Sequence, residues 1–499
     1  MRFEKSAALL LLSIVMLLAI EFLLFDYTVD DIWIMLRHSL NFATGHGAGW
    51  NPDDPDPTES YSTFSWFILA AFAYLINADA VLFLKFIGIA SSIANLVLTY
   101  LIATNLTKDK ILGAGAAVFL SIIPAYSLWA VTGLETQLAT LFFLLGIYFL
   151  SKNNLSRKTV AMSATAFCLM ALTNIMGWLV SALFFLYIIM KKEYKMLPYF
   201  LVPYVLLFLP VLAWRWMYYG YPLPNSFYFK ATGLNLIHPI ISALYLLPFI
   251  AFAALSWKEA LGKLRPLAVV VFLWFLLSAF TNDIMMVPIR FFIPVLPIII
   301  IFSAIGLWKA VDYANRRTGM AKILLLLVII FVLMNPVQPV GRMPLFKNPI
   351  YSLPEEVASM ELNKELFRGY GKVATWISEN SNENDVIALS EGGYLPFHMN
   401  RTAVDLSGLA DKRIAHNGFS TEYLDSRKPR YIILLGNSSD VSTSYTETFQ
   451  ETLIDTEYFK EKYSLVKSEF IISHNFFKRD IWLLIFERIP AMQAGSLDS

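Results

Sequence analysis

A chain of 499 residues, 57% hydrophobic and only 15% charged, has a mean hydropathy of +0.57. Soluble domains carry about 25% charged residues, so the composition excludes an ordinary soluble enzyme and reads as a polytopic membrane protein. The net charge of +1 gives no electrostatic footprint for nucleic acid, which is not expected as a partner. The single cysteine, Cys168, excludes an intrachain disulfide or a cysteine metal cluster.

In chain order, Arg2 and Lys5 precede an apolar run at 6–25. The run is longer than a signal-peptide core and offers no small-residue cleavage site at Glu21-Phe22-Leu23, so a retained first span is expected. Next comes Asp26 to Trp66, with seven carboxylates (Asp26, Asp30, Asp31, Asp53, Asp54, Asp56, Glu59) against one arginine, Arg37. Inside it, Ile32, Trp33, Leu36 and Leu40 recur at helical spacing, which predicts a short amphipathic helix over 32–42 lying along the membrane surface. Asp30 and Asp31 stand at its start. One of them suits the helix cap and its dipole; the other is a candidate general base at the membrane–water boundary.

With 6–25, further apolar runs at 62–77, 80–104, 111–130, 135–151, 159–172, 177–190, 197–216, 239–257, 266–281, 291–309 and 322–337 make twelve candidate spans. Five basic clusters arbitrate: Lys108/Lys110, Lys152/Arg157/Lys158, Lys191/Lys192/Lys195, Lys258/Lys263/Arg265 and Lys309/Arg316/Arg317/Lys322. All five fall on the cytoplasmic side, with the N-terminus, only if 62–77 does not cross. About eleven spans then remain, and everything beyond about residue 338 is extracytoplasmic. Glu135, Asn174, Lys230, Asp283 and Arg290 gather at the outer face beside the acidic loop, which predicts a shared cavity. Taken singly, Lys230 and Arg290 also fit as interfacial anchors and Glu135 as a first-turn acid. Lys85 either snorkels outward or lines the same cavity.

Residues 338–499 hold long charged stretches and no spanning run. Leu353 to Asn380 reads as a helix, and Asp385–Leu389, Thr402–Asp405 and Tyr431–Leu435 read as strands, with 480–486 as a last one. The expected organisation is a helical membrane domain over 1–337, whose outer loop 26–61 carries the chemistry, and a small extracytoplasmic α/β domain over 338–499.

Several stretches together carry a family resemblance. Asp30-Asp31, Asn41-Phe42-Ala43-Thr44-Gly45-His46-Gly47, Trp50-Asn51-Pro52, Glu59-Ser60-Tyr61-Ser62 and Trp66 resemble the first loop of GT-C glycosyltransferases. The subgroup is that of the mycobacterial terminal arabinofuranosyltransferases and their bacterial relatives. Thr132 to Thr136, Tyr218-Tyr219-Gly220 with Leu223 to Lys230, Asp283, Arg290-Phe291 and Pro294 to Pro297 fit the same pattern. So do Val373 to Trp376, Gly392 to Pro396 and Val404 to Leu409. Where the family carries an Arg-Pro-Glu-Gly turn, this chain has Asn174-Ile175-Met176-Gly177, with two charges fewer at the outer face.

The resemblance implies an inverting transfer from a polyprenyl-phosphate sugar to a hydroxyl of a cell-envelope glycan, lipid or protein. Asp30 and Asp31 are the implied catalytic pair, with Asp30 as base and Asp31 as support. Glu59, Glu135, Asn225, Tyr228, Lys230, Asp283, Arg290 and His46 are the implied substrate-binding residues, and Lys230 and Arg290 would steady the leaving lipid phosphate. No cofactor is expected. Asp53, Asp54 and Asp56 offer oxygens to a divalent cation, but three acids among prolines read first as a solvated turn. The rival reading, a transporter or flippase of envelope precursors, calls for internal repeats and midplane charges, and neither stands out.

Overall fold

In the computed structural model, residues 2–152, 155–230, 234–262, 264–280, 289–316, 319, 322, 352–441, 448–474 and 479–490 are described. The membrane part begins with α1 (Arg2–Leu23), α2 (Asp31–Ala43), α3 (Phe64–Leu75), α4 (Ala80–Thr107), α5 (Lys110–Ser121) and α6 (Pro124–Val131). It continues with α7 (Thr136–Ser151), α8 (Arg157–Thr173), α9 (Met176–Met190), α10 (Leu197–Pro203), α11 (Leu209–Tyr219) and the short α12 (Asn225–Lys230). The helices α13 (Ile237–Tyr245), α14 (Leu247–Ala254), α15 (Trp257–Leu261), α16 (Arg265–Ser278) and α17 (Leu296–Asn315) complete it.

Of the eleven spans expected, four stand among the described residues as helices long and apolar enough to cross a membrane: Glu4–Leu23, Ala80–Thr107, Tyr194–Tyr219 and Leu296–Asn315. The run at 111–130 is instead a pair, α5 and α6, bent by 68° where Pro124 opens the second helix. The helices α3, α7, α9 and α16 are apolar but shorter. At 12 residues, α3 is about 18 Å long, short of a hydrocarbon core about 30 Å thick. In the third long helix a π-turn over Tyr204–Phe208 joins α10 to α11. Pro210, just beyond it, has no N–H for the regular helical register, and the widened turn absorbs the missing bond. The last expected run, 322–337, lies outside the described residues but for Lys322, as does the expected domain boundary.

Small residues and amide pairs bind these helices. A Cβ on Gly88 of α4 would overlap the Ala130 carbonyl of α6, so the two backbones pack in direct contact. Asn95 of α4 donates to Gln137 of α7 (2.9 Å), and Gln137 donates in turn to the Tyr126 carbonyl of α6 (2.7 Å). Lys85, expected to snorkel or to line the cavity, does neither. It donates to the Phe25 and Tyr27 carbonyls (2.6 and 2.9 Å), capping the frayed end of α1.

The C-terminal unit opens with α18 (Leu353–Asn380) and carries a five-stranded sheet of order β2-β1-β3-β5-β4. The strands β1 (Val386–Leu389), β2 (Thr402–Asp405) and β3 (Tyr431–Gly436) run parallel; β4 (Tyr463–His474) and β5 (Arg479–Arg488) are antiparallel. The strand β3 is buried throughout, so its YIILLG run shows no alternation. The hairpin partner β4 runs its polar residues together at Lys467, Ser468 and Glu469 and shifts register at 465–467 and 470–472, so it lacks the alternation that marks a strand in sequence.

The predicted surface helix is sandwiched instead. Ile32, Met35 and Leu36 of α2 join the membrane-domain core, whereas Ile34 and Trp50 of the same loop enter the core of the C-terminal unit. The joint is polar and specific. The Asn51 side chain donates to Ala403 O (2.8 Å) and accepts from Ala403 N (2.9 Å), pairing with the edge of β2 as a neighbouring strand would. Buried Arg37 donates to Trp50 O (2.6 Å), Asn51 Oδ1 (3.2 Å), Arg401 O (2.6 Å) and Pro396 O. Truncating Asn51 orphans both backbone groups of Ala403, at about 1–3 kcal/mol each. Asn51→Ala is therefore expected to loosen the C-terminal unit, read as faster limited proteolysis after residue 352 with the membrane helices still protected.

Candidate functional site

The start of α2, the segment 60–66 leading into α3, and the ends of several helices enclose a cavity of about 690 Å³. Its charged wall residues are Asp31, Glu135 and Arg290. Arg290 lies between the two acids: Nη1 is 3.5 Å from Asp31 Oδ2, and Nη2 is 3.5 Å from Glu135 Oε1. Its guanidinium also stands 5.3 Å from the Trp129 ring centroid, a cation–π distance that holds the fork in plane. Glu135 is almost fully buried, and Asn174 donates to its Oε1 (3.3 Å). At 3.5 Å both ion pairs are at the long limit of hydrogen-bond reach.

The expectation put Asp30 toward the cavity and Asp31 into the first turn. Asp31 does stand in the first turn of α2, but the side chains face the other way. Asp31 lines the cavity, while Asp30 accepts at Oδ1 from the Tyr394 backbone N–H (2.8 Å) of the C-terminal unit. The cap reading fails as well, for Asp30 makes no side-chain bond to the start of α2. Gly393 is required here, since a Cβ would overlap the Asp30 carboxylate. Burial raises the Asp30 pKa to about 7, and the neighbouring Asp31 charge adds to the rise against the Tyr394 N–H.

Other expected site residues turn out to be fasteners. Glu59, half of a buried ion pair, meets Arg215 Nε at 2.6 Å, and burial still pushes its pKa up to about 7. Asn225 donates from its side chain to Gly408 O and Leu409 O (2.9 and 2.7 Å), and its backbone N–H bonds Glu59 O (2.9 Å). Tyr228 packs its ring on His416 of the C-terminal unit (4.6 Å). His46 pairs with Asp53 in the open (2.8 Å), away from the cavity wall. Lys230 closes α12 with its side chain outside the described residues, and Asp283 lies outside them altogether.

Sequence reading passed over Arg215, Arg37 and His38. A lone arginine near the outer end of the 197–216 run is the signal that was available for Arg215, since a charge there needs a partner. His38 is fully buried, and burial holds its pKa down at about 3. Its neutral ring donates from Nδ1 to Ala48 O (2.8 Å) and accepts the Ser60 N–H at Nε2 (3.4 Å), shaping the turn that walls the cavity. Among the described residues no group of three or more His, Cys, Asp or Glu side chains forms a metal site.

Comparisons place this architecture. Residues 357–486 match a family model described as a domain of unknown function, DUF8728. No curated protein matches by sequence. Among solved structures, ArnT from Cupriavidus metallidurans in the apo state aligns over 96% of this chain and 98% of its own, with a TM-score of 0.57 at 12% identity. The same protein bound to undecaprenyl phosphate gives 0.56 at 11% identity, over 95% and 97% of the two chains. The oligosaccharyltransferase AglB from Archaeoglobus fulgidus, in complex with an inhibitory peptide and a dolichol-phosphate, gives 0.58 at 11% identity over 94% and 80%. At such identities the likeness is one of fold, and the chain shares the overall architecture of these structures.

Two expectations follow from the buried acids. Unfolded, Asp30 titrates near its ordinary value of about 4; folded, near 7. The folded state thus binds this proton more tightly, and the stabilisation is complete below about pH 4 and lost as pH rises through 7. Asp30→Asn, which keeps an oxygen acceptor for Tyr394, is expected to melt like the parent at pH 4 and above it at pH 8. Separately, Arg215→Met strands the Glu59 charge, for which about 3–5 kcal/mol is typical. The double variant Glu59→Gln/Arg215→Met is expected to recover much of that loss in thermal unfolding.

Proposed function

We propose that this GT-C fold houses an inverting glycosyltransferase, moving a sugar from a polyprenyl phosphate to a hydroxyl of a cell-envelope glycan, lipid or protein. The observation that carries the reading is the Asp31–Arg290–Glu135 constellation in a cavity walled by apolar helix ends on one part and by outer loops on another. The reaction requires a base for the hydroxyl proton and positive charge for the departing phosphate. Asp31 and Arg290 are those two groups.

The acceptor oxygen attacks the anomeric carbon as its bond to the phosphate oxygen breaks. Asp31 takes the hydroxyl proton, and the lipid phosphate leaves with the electron pair. A phosphate that draws the Arg290 fork to itself removes a partner from Asp31 and leaves that carboxylate to the hydroxyl. Glu135 and Trp129 keep the guanidinium in position. Asp30 acts as a positioning residue, joining α2 to the C-terminal unit. The five basic clusters support a cell-membrane protein with a cytoplasmic N-terminus and the cavity and C-terminal unit outside. The first-loop resemblance to arabinofuranosyltransferases makes a pentofuranose the first donor to try.

The test is sugar transfer by the purified chain from labelled polyprenyl-phosphate sugars. Asp31→Asn is expected to lower turnover by about 10²–10⁴-fold, the usual share of a general base. Arg290→Ala is expected to lower it by about 10²–10³-fold, with Arg290→Lys recovering only part, because a point ammonium replaces a two-pronged fork. Asp30→Asn keeps measurable turnover. An inactive Asp30→Asn beside an active Asp31→Asn would return the base to Asp30.

A further inference from the structure

Among the described cavity residues, Leu409 alone comes from the C-terminal unit. It sits on a loop, residues 405–410, that is fixed far more firmly than a covering loop needs. Buried Asp405 accepts at Oδ1 from Ser407 N and Oγ (3.0 and 2.6 Å) and at Oδ2 from Ala410 N (2.6 Å). From the membrane side, Asn225 grips Gly408 O and Leu409 O, and Asn225 is itself held by Glu59 O. Both ends of the loop and the Gly408 and Leu409 carbonyls are thus tied, and Leu409, partly buried against the core of the C-terminal unit, forms part of the cavity wall.

The two substrates of the proposed transfer reach the cavity from different media. A polyprenyl chain comes from hydrocarbon, past Leu179 of α9 and Leu277 and Phe280 at the end of α16. A hydrophilic acceptor comes from water, past the outer unit and its loop. We infer that Leu409 is a specificity-determining residue of the acceptor path, its bulk setting which hydroxyl compounds reach Asp31. This rests on the transferase reading above. Rigid placement is what makes a single side chain selective, since a loop free to yield would admit any size. One methylene more or less in a fixed apolar pocket is worth about 10–200-fold in discrimination.

The test uses the full chain in detergent, a labelled polyprenyl-phosphate pentose or hexose, and three acceptors: water, an octyl monosaccharide and an octyl trisaccharide. Leu409→Ala is expected to raise kcat/KM for the trisaccharide relative to the monosaccharide about tenfold, and to raise the share of donor lost to water. Leu409→Trp is expected to shift the same ratio about tenfold the other way; Leu409→Ala carries the test alone if the larger residue prevents folding. Asn225→Ala, which frees the loop carbonyls, is expected to blunt the size preference without reversing it. Equal changes for both glycosides, or a change confined to donor KM, would overturn the assignment of Leu409 while leaving the transferase standing. A parent chain that releases sugar to none of the three acceptors overturns both.

Discussion

Arg37 is a guanidinium taken out of water, and its hydrogen bonds go to neutral oxygens. Two come from its own loop, Trp50 O and Asn51 Oδ1, and two from the C-terminal unit, Pro396 O and Arg401 O. A buried charge left with half its acceptors costs several kcal/mol, so the loop and the C-terminal unit hold together or expose the cation. The geometry above α2 follows from that constraint. With Arg37 fixed at the middle of the helix, its first turn cannot rotate, and the directions of Asp30 and Asp31 are set together.

Those directions lie about 100° apart by the helical period, and the consequence is a division of labour. One carboxylate meets a backbone N–H and a glycine of the outer unit; the other meets an arginine across an open cavity. Asp30 is the more desolvated in character, and its raised pKa is bound up with domain docking. Proximity to neutral titration does not by itself make a base. On the proposed reading access to the reacting oxygen comes first, and Asp31 is the one of the two that lines the cavity.

The sequence carried the architecture well where periodicity and charge speak. The described apolar runs correspond to helices, and the buried strands of the C-terminal unit announce themselves as continuous aliphatic runs. It carried the site less well, because a side chain's partner is a tertiary fact. Glu59 and Asn225 stand in motif positions and look like substrate ligands, yet each is consumed by a protein partner far along the chain. The amphipathic pattern of α2 was visible, but not that a second unit would cover its other face, and so a buried helix reads as a surface one. Leu409 ended one of the matching stretches, but an aliphatic side chain carries no chemical signal of its own. Its place depends on Asp405 and on Asn225, which is 183 and 184 residues from the two carbonyls it holds.

The turn at 174–177 shows how few charges the site runs on. In place of a motif with two charged residues, Asn174 offers a neutral amide and spends it on Glu135. The described wall then sums to two carboxylates and one guanidinium. On the proposed reading, the described wall does not draw an anion by charge alone; the lipid phosphate is delivered by a chain already confined to hydrocarbon, past Leu179, Leu277 and Phe280. On the proposed reading, Arg290 therefore contributes little to holding the donor in its ground state. Its charge counts most when the bond to the phosphate breaks and the negative charge on the leaving oxygen grows, which is where an interaction raises the rate instead of merely tightening binding.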